Sequence, residues 1–149
     1  MIRIVKADSI EAIPNSLDQA QIVEFLHTHL DRFRDDKAAI SKAIDYAFSD
    51  QAGKGGYLLL ALDNERLAGA LVMNKTGMQD FIPENILVYI AVDADYRGKG
   101  IGTAILREAF ETSEGGIALH VEYDNPAKAL YERLGFSTKY AEMRWHKGS

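Results

Sequence analysis

The sequence predicts an α/β fold, with the mixed sheet of an α+β protein at its centre and helices on both faces. Three observations lead there. Strand-like and helix-like patterns interleave in the order β-α-α-β-β-β-α-β-α-β. Helical crossovers join parallel strands and tight turns join antiparallel ones, so that order gives a mixed sheet. The apolar run at 87–92 lacks the polar alternation of a half-solvated strand, which marks a strand covered on both faces.

Each element has its own signal. Ile2 and Ile4 alternate with Arg3 and Lys6 as in a half-buried strand, and Pro14-Asn15 closes the loop that follows. Ile22, Phe25, Leu26 and Leu30 fall at helical spacing, with Ser16 or Asp18 as N-cap and an end near Leu30. A second helical pattern starts at Asp35-Asp36, acids that suit a helix N-terminus, and runs through Ala39, Ile40, Ala43, Ile44 and Ala47 to stop by Gly53. Residues 57–62 and 67–74 read as a hairpin turning at 63–66. An irregular connection at 76–85, with Gly77 and Pro83, leads into the apolar strand ending at Val92. Ile101, Ala104, Ile105 and Ala109 then mark a helix that ends near Gly115-Gly116, and 117–122 reads as the next strand. Asn125-Pro126 opens a short helix to Leu134, and Gly135-Phe136 returns the chain to a last strand through Trp145.

With 149 residues, 47% apolar and 26% charged, the chain reads as one domain, 1–149. A domain of this size buries roughly 68–70% of its unfolded surface, enough for a full core. The formal net charge is −5 and no run of Lys or Arg offers a phosphate-tracking stripe, so nucleic-acid binding is not expected. The absence of cysteine excludes disulfides, thiolate metal ligands and a cysteine nucleophile. Apolar runs of six or seven residues fall far short of the ~20 that cross a bilayer, and residues 1–8 carry charges where a secretory signal needs an apolar stretch. The expectation is a cytoplasmic protein with no membrane partner.

The chemistry is concentrated at 92–103, where Gly98, Gly100 and Gly102 join a strand to a helix at alternate positions. Glycine lets backbone amides turn toward one point and lets a ligand approach closely. That point is a helix N-terminus, whose unpaired amides and dipole favour an anion, and Arg97 and Lys99 add positive charge. Two common phosphate motifs do not fit. Thr103 stands where the dinucleotide fingerprint needs glycine, and Lys99 is followed by Gly100 where a P-loop needs Ser or Thr. The other reading of the glycines is a tight turn with Arg97 and Lys99 solvated.

These residues resemble the GNAT superfamily of N-acetyltransferases. Arg97-Gly98-Lys99-Gly100-Ile101-Gly102 matches the family's Arg/Gln-x-x-Gly-x-Gly/Ala pyrophosphate loop. Asn125-Pro126-Ala127-Lys128-Ala129-Leu130-Tyr131-Glu132-Arg133-Leu134-Gly135-Phe136 fills every named position of its Asn-Pro-Ala-x-x-Leu-Tyr-x-x-Leu-Gly-Phe segment. The resemblance covers 56–146, with 1–55 matching only as a strand plus two helices. It implies acetyl-CoA or a related acyl-CoA as donor and an amine as acceptor. It also implies a sheet splayed between the strands ending at Val92 and near Glu122, with the pantetheine arm paired to the backbone of Ile90 and Val92. Arg97, Gly98, Lys99, Gly100, Ile101, Gly102 and Thr103 would hold the pyrophosphate.

Within that frame the Ala91 or Val92 amide would stabilise the oxyanion, and Tyr131 matches the family tyrosine that gives a proton to the departing sulfur. The other reading of Tyr131 is a core residue packed on Leu134. His120 is a candidate base, sharing a strand face with Glu122, where some relatives carry glutamate; Glu84 is a second. Asn125 caps the short helix and, by the resemblance, hydrogen-bonds the pantetheine arm, while Lys128 either meets phosphates or is solvated. His27 and His29, two apart on a helix, cannot chelate one metal, and no metal is expected. Glu24, Asp31, Asp35 and Asp36 either line an acceptor entrance or form a solvated face. Met143 and Trp145 read as core, with a contact in a homodimer as the other reading.

The implied function is transfer of an acetyl group from acetyl-CoA to a primary amine of a small molecule or peptide by direct attack. A non-catalytic acyl-CoA-binding module is the alternative. A nucleotide-phosphate enzyme is disfavoured by both failed spacings.

Overall fold

A computed structural model describes residues 1–148, which form two compact units, Met1–Leu119 and the residues from His120 onward. The first unit holds β1 (Ile2–Ala7), α1 (Gln19–His29), α2 (Lys37–Ala47), β2 (Gly56–Asp63), β3 (Arg66–Lys75), β4 (Asn85–Val92), α3 (Ile101–Thr112) and β5 (Ile117–Leu119). The strands lie side by side in sequence order, antiparallel from β1 to β4 and parallel between β4 and β5.

Local chemistry fixes the helix starts. The Asp18 carboxylate accepts the Gln21 amide while the Gln21 side chain accepts the Asp18 amide, a reciprocal capping box that begins α1. Asp36 caps α2 by accepting the Ala39 amide at 2.8 Å.

One face of the sheet packs on α1 and α2. Ile22, Leu26, Ile40 and Ile44 are fully buried there with Leu58, Leu60, Val72, Tyr89 and Ala91. The side chains that alternate with these on β2 point the other way, toward α3, and the Tyr57 hydroxyl bonds to Ser113 just past that helix. Gly69 lets α3 approach closely, because a Cβ there would come 2.7 Å from Ile105 Cδ1. No helix among the described residues is long and apolar enough to cross a membrane.

Three expectations change. The strand expected at 117–122 stops at Leu119 and pairs only with Asn85, Ile86 and Leu87, so the β5-side edge of β4 from Val88 to Val92 has no strand partner within this unit. Along β4 burial alternates, with Leu87, Tyr89 and Ala91 buried and Ile86, Val88, Ile90 and Val92 only half-buried. Its apolar run therefore reflects two faces of unequal cover and not a strand enclosed on both.

The second unit contains α4 (Ala127–Arg133) but no strand among its described residues. The last strand, expected through Trp145, is absent, and Tyr140, Met143 and Trp145 are 78%, 90% and 82% exposed. The core reading of Met143 and Trp145 is thus corrected. An alternating pattern forms a strand only where a neighbouring strand completes its backbone hydrogen bonds, and the described residues 136–148 lie in no strand.

Candidate functional site

The glycine turn expected to bind an anion is built where β4 runs into α3. Asp93 starts it, with its amide on the Ala68 carbonyl at 2.8 Å and its carboxylate accepting the Asp95 amide at 2.8 Å. The Arg66 guanidinium bridges Asp93 and Asp95 at 3.0 Å each. Burial of the Asp93 carboxylate opposes ionisation, but the Asp95 amide and Arg66 outweigh it and hold the group below the usual carboxylate range. The Tyr96 hydroxyl donates to Asp63 at 2.6 Å, which ties the turn to the end of β2.

Beyond this fastened base the loop is open. Arg97, Gly98, Lys99 and Gly100 are exposed, and Gly98 and Gly100 adopt left-handed conformations with φ of 78° and 80°. A side chain at either position would be strained by the backbone alone, because a Cβ there meets nothing within 4 Å. Gly102 differs, lying in the first turn of α3 with Thr103, while buried Ile101 anchors that helix. The first bond back along the helix is from the Ala104 amide to the Gly100 carbonyl at 3.0 Å. The amides of Ile101, Gly102 and Thr103 therefore have no acceptor within the helix, the arrangement that suits an anion. The Lys99 ammonium lies 5.3 Å from the Tyr96 ring centroid.

Arg97 has partners within the protein. Its Nε donates to the Val92 carbonyl at 3.2 Å and its Nη2 to the His29 carbonyl at 2.9 Å, so one edge of the guanidinium fork is occupied by the protein itself.

The edge of β4 can be assigned residue by residue. The Asp93 amide points at β3, and successive residues of a strand alternate, so the Ala91 amide also points at β3 while those of Ile90 and Val92 face the open edge. The Val92 carbonyl, on that same edge, is the one Arg97 reaches. Of the two amides considered for an oxyanion, Ala91 is turned away into the sheet and Val92 is available.

Glu84 sits at the far end, roughly 25 Å from Val92 at the usual strand rise. Its carboxylate accepts the Gly116 amide at 2.9 Å, and that bond holds it below the ordinary glutamate range. The acidic residues near α1 and α2 also have partners. Glu24 pairs with Lys37, Asp36 caps α2, and Asp35 accepts the Tyr89 hydroxyl at 2.6 Å. Burial and that carboxylate push the Tyr89 phenol well above its ordinary range. No group of three or more His, Cys, Asp or Glu that could hold a metal occurs among the described residues.

In the second unit Asn125 accepts the Ala127 amide at 2.9 Å and so supports the start of α4. Tyr131 is buried on that helix, edge-on to Phe136 at 5.7 Å between centroids, so its ring partner is Phe136. Burial, with a smaller contribution from the Glu122 carboxylate, pushes its phenol up to about 12. Lys128 is paired with Glu132 at 3.4 Å, one helical turn on. His120 and Glu122 share no strand face, because β5 ends before them; His120 is exposed, with Nδ1 3.4 Å from Arg144 Nη2.

Sequence reasoning missed the Arg66–Asp93–Asp95 bridge, the Tyr96–Asp63 bond and the part played by His29. Each joins residues far apart in the chain, and neither spacing nor periodicity reports such pairs. The one local signal was Asp93 directly after an apolar strand, a charged residue at a position close to the core.

Comparison with known proteins adds four likenesses. The family model described as an acetyltransferase (GNAT) domain matches residues 54–138. Over 62 residues the chain is 40% identical to the N-alpha-acetyltransferase RimI of Mycobacterium tuberculosis, a match spanning 40% of this chain and 39% of that protein. Over 63 residues it is 41% identical to a mycothiol acetyltransferase of Corynebacterium aurimucosum, spanning 39% of this chain and 21% of that protein. The chain thus spans about two fifths and one fifth of the lengths of these relatives. A solved structure of a putative acetyl transferase from Pyrococcus furiosus superposes with a TM-score of 0.66 at 25% identity, covering 98% of this chain and 99% of that one.

Proposed function

The chain belongs to the GNAT acetyltransferase family, and on that premise we propose that it transfers an acetyl group from acetyl-CoA to a primary amine of a small molecule or peptide by direct attack. The observation that carries the reading is the adjacency of two features: an open strand edge at Ile90 and Val92, and directly after it a helix N-terminus with free amides at Ile101, Gly102 and Thr103. Such a pair suits a donor with an amide-containing arm and a pyrophosphate. The arm adds hydrogen bonds along the edge, and the pyrophosphate takes the amides, with Lys99 as the nearby cation.

The donor supplies an activated acyl group as a thioester. A C–N bond forms, the C–S bond breaks, and one proton leaves the attacking nitrogen. The Val92 amide, on the open edge, receives the charge that develops on the carbonyl oxygen. Tyr131 assists the departing sulfur. A phenol pushed up to about 12 keeps its proton at neutral pH, and full transfer to a thiolate of ordinary pKa about 8.5 is uphill. Its contribution is therefore a hydrogen bond to the leaving group, with solvent completing the protonation. His120 is the proposed acceptor of the amine proton, since its ring is exposed while the Glu84 carboxylate is held by Gly116. Asn125 and Lys128 are proposed to contact the donor from α4. The connection between α1 and α2, bearing Asp31 and Asp35, is proposed to face the cationic acceptor.

The test is release of free thiol from acetyl-CoA across a panel of amines, followed with a thiol-reactive dye to which a chain without cysteine is silent. Amine-dependent release establishes the transferase and its acceptor class. Saturable acetyl-CoA binding with no release from any amine would replace it with a binding module, and no binding would remove the donor assignment.

A further inference from the structure

Residues 93–97 are fastened one by one, and two of the fastenings end on His29, the last residue of α1. The His29 carbonyl accepts Arg97 Nη2 at 2.9 Å, and His29 Nδ1 accepts the Ala94 amide at 3.3 Å. With Nδ1 an acceptor, the ring proton sits on Nε2, which lies 3.7 Å from the Asp93 carboxylate. The His29 ring rests against Phe25 at 4.6 Å, one turn back on the same helix. A cation at a helix C-terminus is favourable, and Arg34 repeats the device on the His27 carbonyl at 3.4 Å. Farther along, Asp35 is tied by the Tyr89 hydroxyl to β4. The segment 30–36 thus hangs between two anchors, the anion turn at one end and the strand with the open edge at the other.

We propose that Arg97 is a positioning residue and not a phosphate ligand. Together with His29 it straps the end of α1 to the anion turn, so that donor binding at 98–103 sets the position of the acceptor-facing segment 29–36. This rests on the reading of that turn as the pyrophosphate site. The guanidinium edge formed by Nε and Nη2, which would grip a phosphate in two-point fashion, already holds two carbonyls of the protein. A lysine at this position keeps the charge but cannot span both carbonyls, so charge and strap are separable by substitution.

The experiment is amide hydrogen exchange of the full chain with and without coenzyme A, on wild type, Arg97→Ala and Arg97→Lys, alongside coenzyme A affinity at several salt concentrations. Wild type should gain protection both at 98–104 and at 29–36. In the two variants protection at 98–104 should persist, with affinity within about threefold and an unchanged salt dependence, while the ligand-induced protection at 29–36 falls at least tenfold. With a reactive amine, its KM should rise in both variants and kcat should hold. Equal protection at 29–36 in wild type and both variants would overturn the strap alone. So would an Arg97→Ala affinity loss of tenfold or more, with weakened salt dependence, that Arg97→Lys restores; this would make Arg97 an anion ligand. Absence of protection at 98–104 in wild type would remove the donor site itself, and the strap with it.

Discussion

The Glu84 carboxylate accepts the Gly116 amide at 2.9 Å, across a span of 32 residues, at the point where β5 begins beside β4. The neighbouring Asn85 side chain donates to the carbonyls of Glu114 at 2.7 Å and Gly116 at 3.1 Å. These three bonds hold a parallel pairing of only three residues. The Gly116 amide keeps Glu84 ionised below its ordinary range, which makes it a poor base near neutrality. Glu84→Gln should leave the shape of the pH–rate profile unchanged and lower the melting temperature. A depressed carboxylate contributes stability above its unfolded pKa and loses it as pH falls, so the difference in melting temperature should shrink below about pH 4. Loss of an acidic limb from the rate profile in Glu84→Gln would return the residue to the mechanism.

Tyr131→Phe removes the hydroxyl of a buried tyrosine and leaves the ring on Phe136. The expected outcome is a kcat about 10²-fold lower or more, with coenzyme A affinity within a factor of about two, measured by thiol release and calorimetry. With its pKa raised to about 12, the phenol stays protonated to beyond about pH 10. A wild-type rate that declines near pH 9, in a limb absent from Tyr131→Phe, would contradict this.

Gly100→Ala isolates backbone conformation, because φ is 80° and a Cβ there meets nothing within 4 Å. The left-handed penalty is about 1–2 kcal/mol. A denaturant titration should find that loss or less, and coenzyme A affinity should fall about tenfold as the amides of the first turn shift. Gly69→Ala acts through packing instead: its Cβ would meet Ile105 at 2.7 Å and Ile101 at 3.2 Å, so it should destabilise the seating of α3 on the sheet.

Asp93→Asn tests the base of the turn. The carboxylate is depressed on balance by the Asp95 amide and Arg66 against the effect of burial. Its stabilisation is present above the unfolded pKa of about 3.9 and disappears as pH falls through the lower folded value. Urea titrations should therefore find the variant less stable than wild type at pH 6–8, with the difference shrinking as pH falls below about 3.9.

Trp145 is the single tryptophan and is 82% exposed. Its emission should match indole in water and be quenched by acrylamide at close to the rate of a free tryptophan derivative. A blue-shifted, protected emission would restore the core reading of this residue.

Much of the fold was legible because its signals are local. Asp18 and Asp36 cap helices through bonds three residues long, and Ile22, Leu26, Ile40 and Ile44 make their faces by spacing alone. The hairpin of β2 and β3 and the helix after Gly100 were equally local. The strands at 117–122 and 136–145 were not, because a strand exists only through its neighbour: three residues of the first found one, and none of the second did.

The candidate site divides along the same line. The sequence by itself determined an exposed glycine turn at a helix N-terminus, since the left-handed backbone at Gly98 and Gly100 is a property of residue type and its place between strand and helix. Tertiary structure alone decided what the side chains around it do. Arg97 donates to the His29 carbonyl, Glu84 accepts the Gly116 amide, and Val92 rather than Ala91 has its amide on the edge away from β3. The physical reason is that backbone conformation is set by neighbours in the chain, whereas a charged side chain takes whichever partner the fold brings within hydrogen-bond reach, and those partners lie tens of residues away.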